Sequence, residues 1–328
     1  MNAPVPALSI DLVICTYNNS AILDRALSAI SRQEVPPGIN WKCLIVDNNC
    51  TDDTAKVVDK HIRSGRIPFL RAVSEPKQGL TPARRCGVEN TSAEWIAFID
   101  DDCLLKETWV HSAAAFAASH DDCGAFGGRV ILDWEKPPPP YVRKYGYSFA
   151  EQNFDAEQKE TSFLVGAGLV VRRAALLASG WCHQQLLSDR IGIKLNSGGD
   201  VEIVLRIRSK GFKLWYVPEC KLLHVIPSSR TSLKYLVNIN FGLGTSQLYA
   251  DAMVWPGTYH DWIMMSARDL LRSLVMSLRQ IIKVMKGSLK WVELAISLSF
   301  LAGRCVGWLN ILCMKNRKSR TLLGCAKQ

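Results

Sequence analysis

The 328-residue chain has eleven cysteines but no C-x-x-C pair, which excludes the common zinc-site spacings. An odd number of scattered cysteines also fits no disulfide framework, so reduced thiols in a cytosolic protein are expected. No G-x-G-x-x-G follows the first β-rich run, which ends in Thr16-Tyr17-Asn18-Asn19. That removes the fingerprint of a nicotinamide oxidoreductase. Nor is there a Gly-rich phosphate loop near residue 16, as a sugar-1-phosphate nucleotidyltransferase would need. The opening MNAPVPALSIDLVIC lacks a basic start and a long apolar run, so no signal peptide is expected. No internal repeat is visible. Charged residues make up 21% and hydrophobic residues 48%, which excludes disordered and collagen-like chains. Acidic residues are the scarcer sign, 30 against 40 basic, for a net charge of +10. That excess points to an anionic partner: nucleotide, nucleic acid or acidic lipid. The cations gather near the C-terminus instead of alternating with aromatics, so nucleic acid is not expected.

What is present is an alternation. IDLVICTYNN, WKCLIVDNNC, IPFLRAVS and EWIAFID read as strands. SAILDRALSAISRQ reads as a helix with Ser20 as N-cap and apolar Ile22, Leu23, Ala26, Leu27 and Ile30 at helical spacing. TDDTAKVVDKHIRSG and TPARRCGVENTS are also helical. Strand-helix alternation with short connections predicts an α/β fold with a mostly parallel sheet flanked by helices. Ligands of such sheets bind beyond the carboxyl ends of the strands. Thr16-Tyr17, Asp47-Asn48 and Asp100-Asp101-Asp102 all fall there, and three polar clusters at three strand ends mean more than any one. Beyond Asp102 the alternation loosens. EKPPPPYVRKYGY is expected to be an irregular loop, since four consecutive prolines exclude helix and central strand.

AFIDDDC runs an apolar strand straight into three carboxylates. They repel one another and gain nothing from burial. Either they form an acidic surface turn or they face a cation.

Six segments in order resemble the family 2 glycosyltransferases of the GT-A fold: LVICTYNN, LIVDNNCTDDT, EPKQGLTPARRCGV, EWIAFIDDDC, VGAGLVVRRAAL and SGGDVEIVLRIRSKGFKLWYVP. They span residue 10 to about residue 230. The resemblance implies a Rossmann-like nucleotide-sugar-binding half over residues 1–110. An acceptor-binding and catalytic half would cover 111–230, and a helical extension 231–328. It implies transfer of a sugar from a nucleotide-diphospho-sugar donor to a hydroxyl, with inversion, and a divalent cation, Mn²⁺ or Mg²⁺, at the diphosphate. These hard ions want carboxylate oxygens. By the same resemblance Asp102 is the metal ligand, Asp100 sits near ribose and metal, and Asp101 belongs with the donor site unless it is structural. Tyr17 stacks on the base beside Thr16, and Asp47 and Asn48 bond the base edge or ribose. Arg84 meets the phosphate or braces the base. His224 completes the metal shell. Asp200 is the general base, with a helix N-cap as its plain alternative and Glu202 as the second carboxylate.

The chain departs from the family pattern at four places. Gly199 stands where Glu usually precedes Asp200, Asn48 where a second Asp is common, and Arg85 where Asn is common. The Gln-x-x-Arg-Trp of processive synthases is missing. A binding protein without catalysis, for nucleotide sugars or nucleic acid, is the alternative class.

In the last third, an apolar stripe runs through residues 263–285. Arg268, Arg272, Arg279, Lys283 and Lys286 share one arc of about 60° at 3.6 residues per turn. The following segment is apolar but broken by Glu293 and Arg304, against a requirement of about 20 uncharged residues for a span. The extension is either packed on the catalytic domain or an amphipathic anchor on an anionic membrane surface. The second reading adds a peripheral location on the inner face of the cell membrane and suits a glycan or lipid-linked acceptor.

Overall fold

The strand ends are in register. β1 (Ser9–Thr16) lies between β2 (Asn40–Asp47) and β4 (Trp95–Asp100), parallel to both, so that Thr16 pairs with Asp47 and Cys15 with Asp100. β3 (Arg71–Ser74) extends the parallel array beyond β2. β1, β2 and β4 are apolar almost throughout because both faces are covered, whereas the edge strand β3 is largely exposed. Ile10, Leu12, Ile14, Ile45, Ala97 and Ile99 enter one core cluster. The crossovers are α1 (Ser20–Ile30), α2 (Thr54–Ser64) and α3 (Leu80–Glu89). The computed structural model describes residues 8–184, 187, 198–288 and 290–314.

α1 buries Leu23, Ala26, Leu27 and Ile30, as their spacing predicts. Its start differs from expectation. Ser20 is the first helical residue, not the cap, and Asn19 in the cap position makes no side-chain cap bond. The Ser20 N–H donates instead to Asp52 Oδ2 at 2.9 Å, while Asp52 Oδ1 accepts from the Thr54 N–H and hydroxyl at the head of α2. One carboxylate thus caps two helices. Burial works against its charge, but the bonds from Thr54 and Ser20 outweigh that and hold Asp52 down at about 2.

After β4 the sheet turns antiparallel. β5 (Cys103–Leu105), β6 (Cys123–Trp134), β7 (Lys159–Thr161), β8 (Leu169–Arg172) and β9 (Lys213–Ile226) complete it, with α4 (Trp109–Ser119) between β5 and β6. Among the described residues the order is β3-β2-β1-β4-β8-β6-β9-β5, with β7 also on β9. The sheet is therefore mixed, its parallel half confined to the first four strands. His224 lies within β9 opposite Cys103.

This sheet belongs to one of two compact units, made of residues 1–133, 150–182 and 211–225. The other comprises 134–149, 183–210 and 226–328. In it the four-proline segment is not wholly irregular. Its last proline opens a one-turn helix, α5 (Pro140–Arg143), because a proline at the first helical positions lacks only an N–H that would be unpaired anyway. A short α6 (Arg173–Ala178) follows β8 in the sheet unit.

The helical unit is built on α7 (Gly199–Ser209), α8 (Leu233–Met253), α9 (Tyr259–Met285) and α10 (Trp291–Cys313). A capping box between Thr258 and Asp261 starts α9. α8 and α10 meet backbone to backbone: a Cβ on Gly303 would lie 2.0 Å from the Phe241 carbonyl oxygen, and one on Gly244 2.1 Å from that of Phe300. Thr245 Oγ1 donates to the Gly303 carbonyl and Ser299 Oγ to that of Val237. α10 is long and apolar enough to cross a membrane by length and composition.

Candidate active site

Two asparagine pairs close the ends of β1 and β2. Asn18 and Asn49 both take left-handed backbone, at φ 49 and 67, which asparagine tolerates better than most residues. Asn18 Oδ1 accepts from the Thr51 N–H at 2.7 Å, tying the two turns together. Tyr17, directly after β1, is 53% exposed. Asp47 Oδ1 accepts from the Cys50 N–H at 2.8 Å, a local turn that orients a half-buried carboxylate.

Asn48 is occupied differently from expectation. Its Nδ2 donates to the Glu75 and Lys77 carbonyls at 2.9 and 2.8 Å, and its Oδ1 accepts from the Gly79 N–H at 2.8 Å. The side chain is 4% exposed and holds the loop 75–79 in place. Gly79, at φ 133, is where that loop needs glycine before α3 begins.

The three aspartates at the end of β4 face three different partners. Asp100 lies 3.7 Å from Arg84 Nη2 on α3. Asp101 accepts from Thr16 Oγ1 at 2.7 Å and from Asn19 Nδ2 at 2.9 Å. Asp102 Oδ1 is 3.2 Å from His224 Nε2, delivered by the pairing of β5 with β9. Arg84 is buried, its guanidinium also 5.5 Å from the Phe98 ring centroid; it braces Asp100 from below. Burial pushes the Asp101 carboxyl up to about 7, reinforced by the charge on Asp102 and opposed by the bonds from Thr16 and Asn19. Asp101 therefore ties β4 to the β1 turn. Sequence reasoning missed Asn19, whose visible signal was a polar pair directly after an apolar strand.

Ligand atoms of Asp100, Asp102 and Cys103 lie within 4.8 Å of one another. Burial, with the Asp102 charge second, holds the Cys103 thiol well above its ordinary range. A protonated thiol is a poor ligand, and Cys103 belongs to the core. The donor set that fits a cation is two carboxylates with the His224 imidazole close by, and carboxylate oxygens suit Mn²⁺ or Mg²⁺.

In the helical unit Gly198, not Asp200, occupies the N-cap of α7, and Asp200 lies half-buried in the first turn. Glu202 is fully buried. Its Oε1 meets Arg206 Nε at 2.8 Å and its Oε2 accepts from the Leu187 N–H at 2.7 Å. Glu202 is thus committed to structure, a role its spacing from Arg206 (i, i+4) suggests in retrospect.

The sequence model described as glycosyl transferase family 2 matches residues 11–178, half of the chain and the whole stretch from β1 to α6. The chain belongs to that family. This family 2 member is similar to the succinoglycan biosynthesis protein ExoM of Rhizobium meliloti, 22% identical over 244 residues, which are 74% of each chain. It is also similar to a glucosyl-dolichyl phosphate glucuronosyltransferase of Haloferax volcanii, 22% identical over 281 residues, or 82% of this chain and 87% of the relative. Among solved structures it resembles the mannosyltransferase PcManGT of Pyrobaculum calidifontis, solved with GDP-Man and Mn²⁺. The TM-score is 0.58 at 15% identity, covering 94% of this chain and 90% of that one. GalNAc-T7, solved with UDP, GalNAc and Mn²⁺, gives a TM-score of 0.53 at 15% identity, covering 75% and 50%. At such identity these likenesses establish the fold, which is GT-A, and the family match makes the protein a glycosyltransferase.

Proposed function

We propose that the protein is a metal-dependent, inverting glycosyltransferase. It moves a sugar from a nucleoside diphosphate to a hydroxyl on a glycan or lipid-linked acceptor at the cytoplasmic face of a membrane. The observation that supports this reading is the Asp100–Asp102 turn, where the two carboxylates have oxygens within 4.8 Å of each other and Asp102 Oδ1 is 3.2 Å from His224 Nε2. Asp100, Asp102 and His224 would hold Mn²⁺ or Mg²⁺, which when bound neutralises charge on the leaving diphosphate. Tyr17 offers its ring to the base, with Asp47 beside it. Thr16 and Asn19 fix Asp101 and so the height of the turn. Asn48 sets the loop 75–79, and Arg84 sets Asp100. Asp200 takes the proton from the acceptor hydroxyl as its oxygen bonds to the anomeric carbon and the bond to the diphosphate breaks. Glu202 and Arg206 steady the helix that carries it.

The test is thermal stabilisation by nucleoside diphosphates with and without Mn²⁺. A true ligand at 100 times its Kd adds about 2.7 kcal/mol. Asp102→Asn should lose the Mn²⁺-dependent part and keep the parent melting temperature without ligand, since an amide is a poorer ligand for a hard cation. A mutant that is stabilised like the parent would overturn the metal assignment.

A further inference from the structure

α9 is packed inside out. Past Trp262, which is buried in the first turn, its buried positions are Ser266 and Ser277, with Ser273 half-buried on the same side, three serines within an arc of about 40°. They join α9 to α10: Ser266 Oγ accepts from Trp308 Nε1 at 3.0 Å, and Ser273 Oγ from Arg304 Nη1 at 3.3 Å. The apolar residues point the other way. Leu271, Leu274, Leu278, Ile281, Ile282 and Met285 are all exposed, Leu271 at 62% and Met285 at 82%, and they share an arc of about 100°. α10 also turns Trp291, Leu298, Val306 and Leu309 outward. An apolar face this large on a soluble monomer marks an interaction surface.

The charges beside that face identify what it meets. Arg268, Arg272, Arg279, Lys283 and Lys286 are exposed on the arc adjoining the apolar one. The acid on the same arc, Asp261, is spent on the capping box at Thr258, and Asp269 lies toward α10 with its Oδ1 3.3 Å from Arg272 Nη1. Apolar residues flanked by cations able to reach headgroup phosphates form the pattern of a helix lying in a membrane surface. A protein partner of ordinary composition would not call for five cations along one edge.

We infer that the outward face of α9 docks in the plane of an anionic lipid bilayer, with its cations on lipid phosphates and α10 held above it by α8. In this arrangement α10 lies along α8 and is not a span. Its inner side is closed against α8 at Gly244, Gly303 and Gly307, where any added Cβ would sit 3.0 Å or less from backbone oxygen. Crossing would also take Arg304 away from Ser273. This inference specifies the surface for the peripheral location proposed above and does not depend on the transfer reaction.

The experiment is sedimentation of the full-length protein with phosphatidylcholine vesicles, with and without phosphatidylglycerol, at low and high salt. Donor binding is measured in parallel as Mn²⁺-dependent thermal stabilisation, so that a failed site and a failed surface are told apart. Binding should need phosphatidylglycerol and weaken with salt. The variant Arg272→Gln, Arg279→Gln, Lys283→Gln should partition about 100-fold more weakly, at about fivefold for each cation near an anionic surface. Leu271→Ser with Leu278→Ser should also release the protein and leave its circular dichroism unchanged. Wild-type protein that ignores both vesicles, or equal binding by both variants, overturns the inference. So does a dimer dissolved by the Leu variant without any vesicle binding, which would make a second copy the occupant. Protein that stays with vesicles through alkaline carbonate would make α10 a span and overturn the in-plane arrangement.

Discussion

α1 and α9 carry the same kind of apolar stripe and use it in opposite directions. α1 turns Leu23, Leu27 and Ile30 into the sheet core. α9 buries serines and leaves Leu271, Leu278 and Ile282 outside. The contrast extends to the polar residues of the two units. In the sheet unit some of the buried ones, Thr16 and Asp102, lie at strand ends beside a candidate ligand site, while others such as His61 and Gln152 are bonded into the fold. In the helical unit the buried ones, Ser266, Glu202 and Arg206, hold elements together. Burial of a polar group therefore does not by itself mark function; what the group is bonded to does.

The sharpest way to break this contrast lies on α7, where two acids sit two residues apart. Asp200→Asn should cut turnover by about 10²–10⁴-fold, the usual contribution of a general base, with donor affinity and melting temperature nearly unchanged. Glu202→Gln should do the reverse. It breaks a buried ion pair, which costs about 3–5 kcal/mol of stability, and it should leave the turnover of the folded fraction intact. Turnover and thermal melting measured on both mutants decide the matter. Exchanged results would make Glu202 the base.

A smaller effect separates the stripes themselves. Leu27→Ala should cost about 2–5 kcal/mol in urea unfolding, because a buried Leu leaves a cavity. Leu278→Ala should stay within about 0.5 kcal/mol, as surface changes do. Equal losses would mean that α9 is covered in solution.

The smallest effect concerns pH. The folded pKa of Asp52, about 2, lies below the unfolded value of about 3.9. Its contribution is therefore fully present above about pH 4 and is lost as pH falls toward 2. Asp52→Asn should flatten the stability profile between those values by lowering stability at neutral pH, with little change near pH 2. An unchanged acid profile would mean that the two-helix cap adds nothing.

Much of the sheet could be read from the sequence because Thr16, Asp47 and Asp100 each end an apolar run, and parallel pairing brings such ends together. The closeness of Asp102 and His224 could not be read from residues 122 positions apart; only the family resemblance suggested it, and the register of β5 on β9 produces it. The facing of α9 was hidden for a different reason. Periodicity reports that a helix has two faces and says nothing of which one turns inward. Ser20 misled because the carboxylate that caps its helix comes from residue 52. Glu202 was read as a second candidate base, because neither its burial nor its bond to Arg206 is visible in a sequence.

Asn48 carries one more consequence. Its amide gives two hydrogens to carbonyls and takes one from a backbone N–H, so a carboxylate in its place would face two oxygens with nothing to donate. With aspartate at 48 the loop 75–79 would lose its clasp. Position 48 and the loop 75–79 therefore act as one structural unit, and aspartate at 48 would need a differently shaped loop beside it.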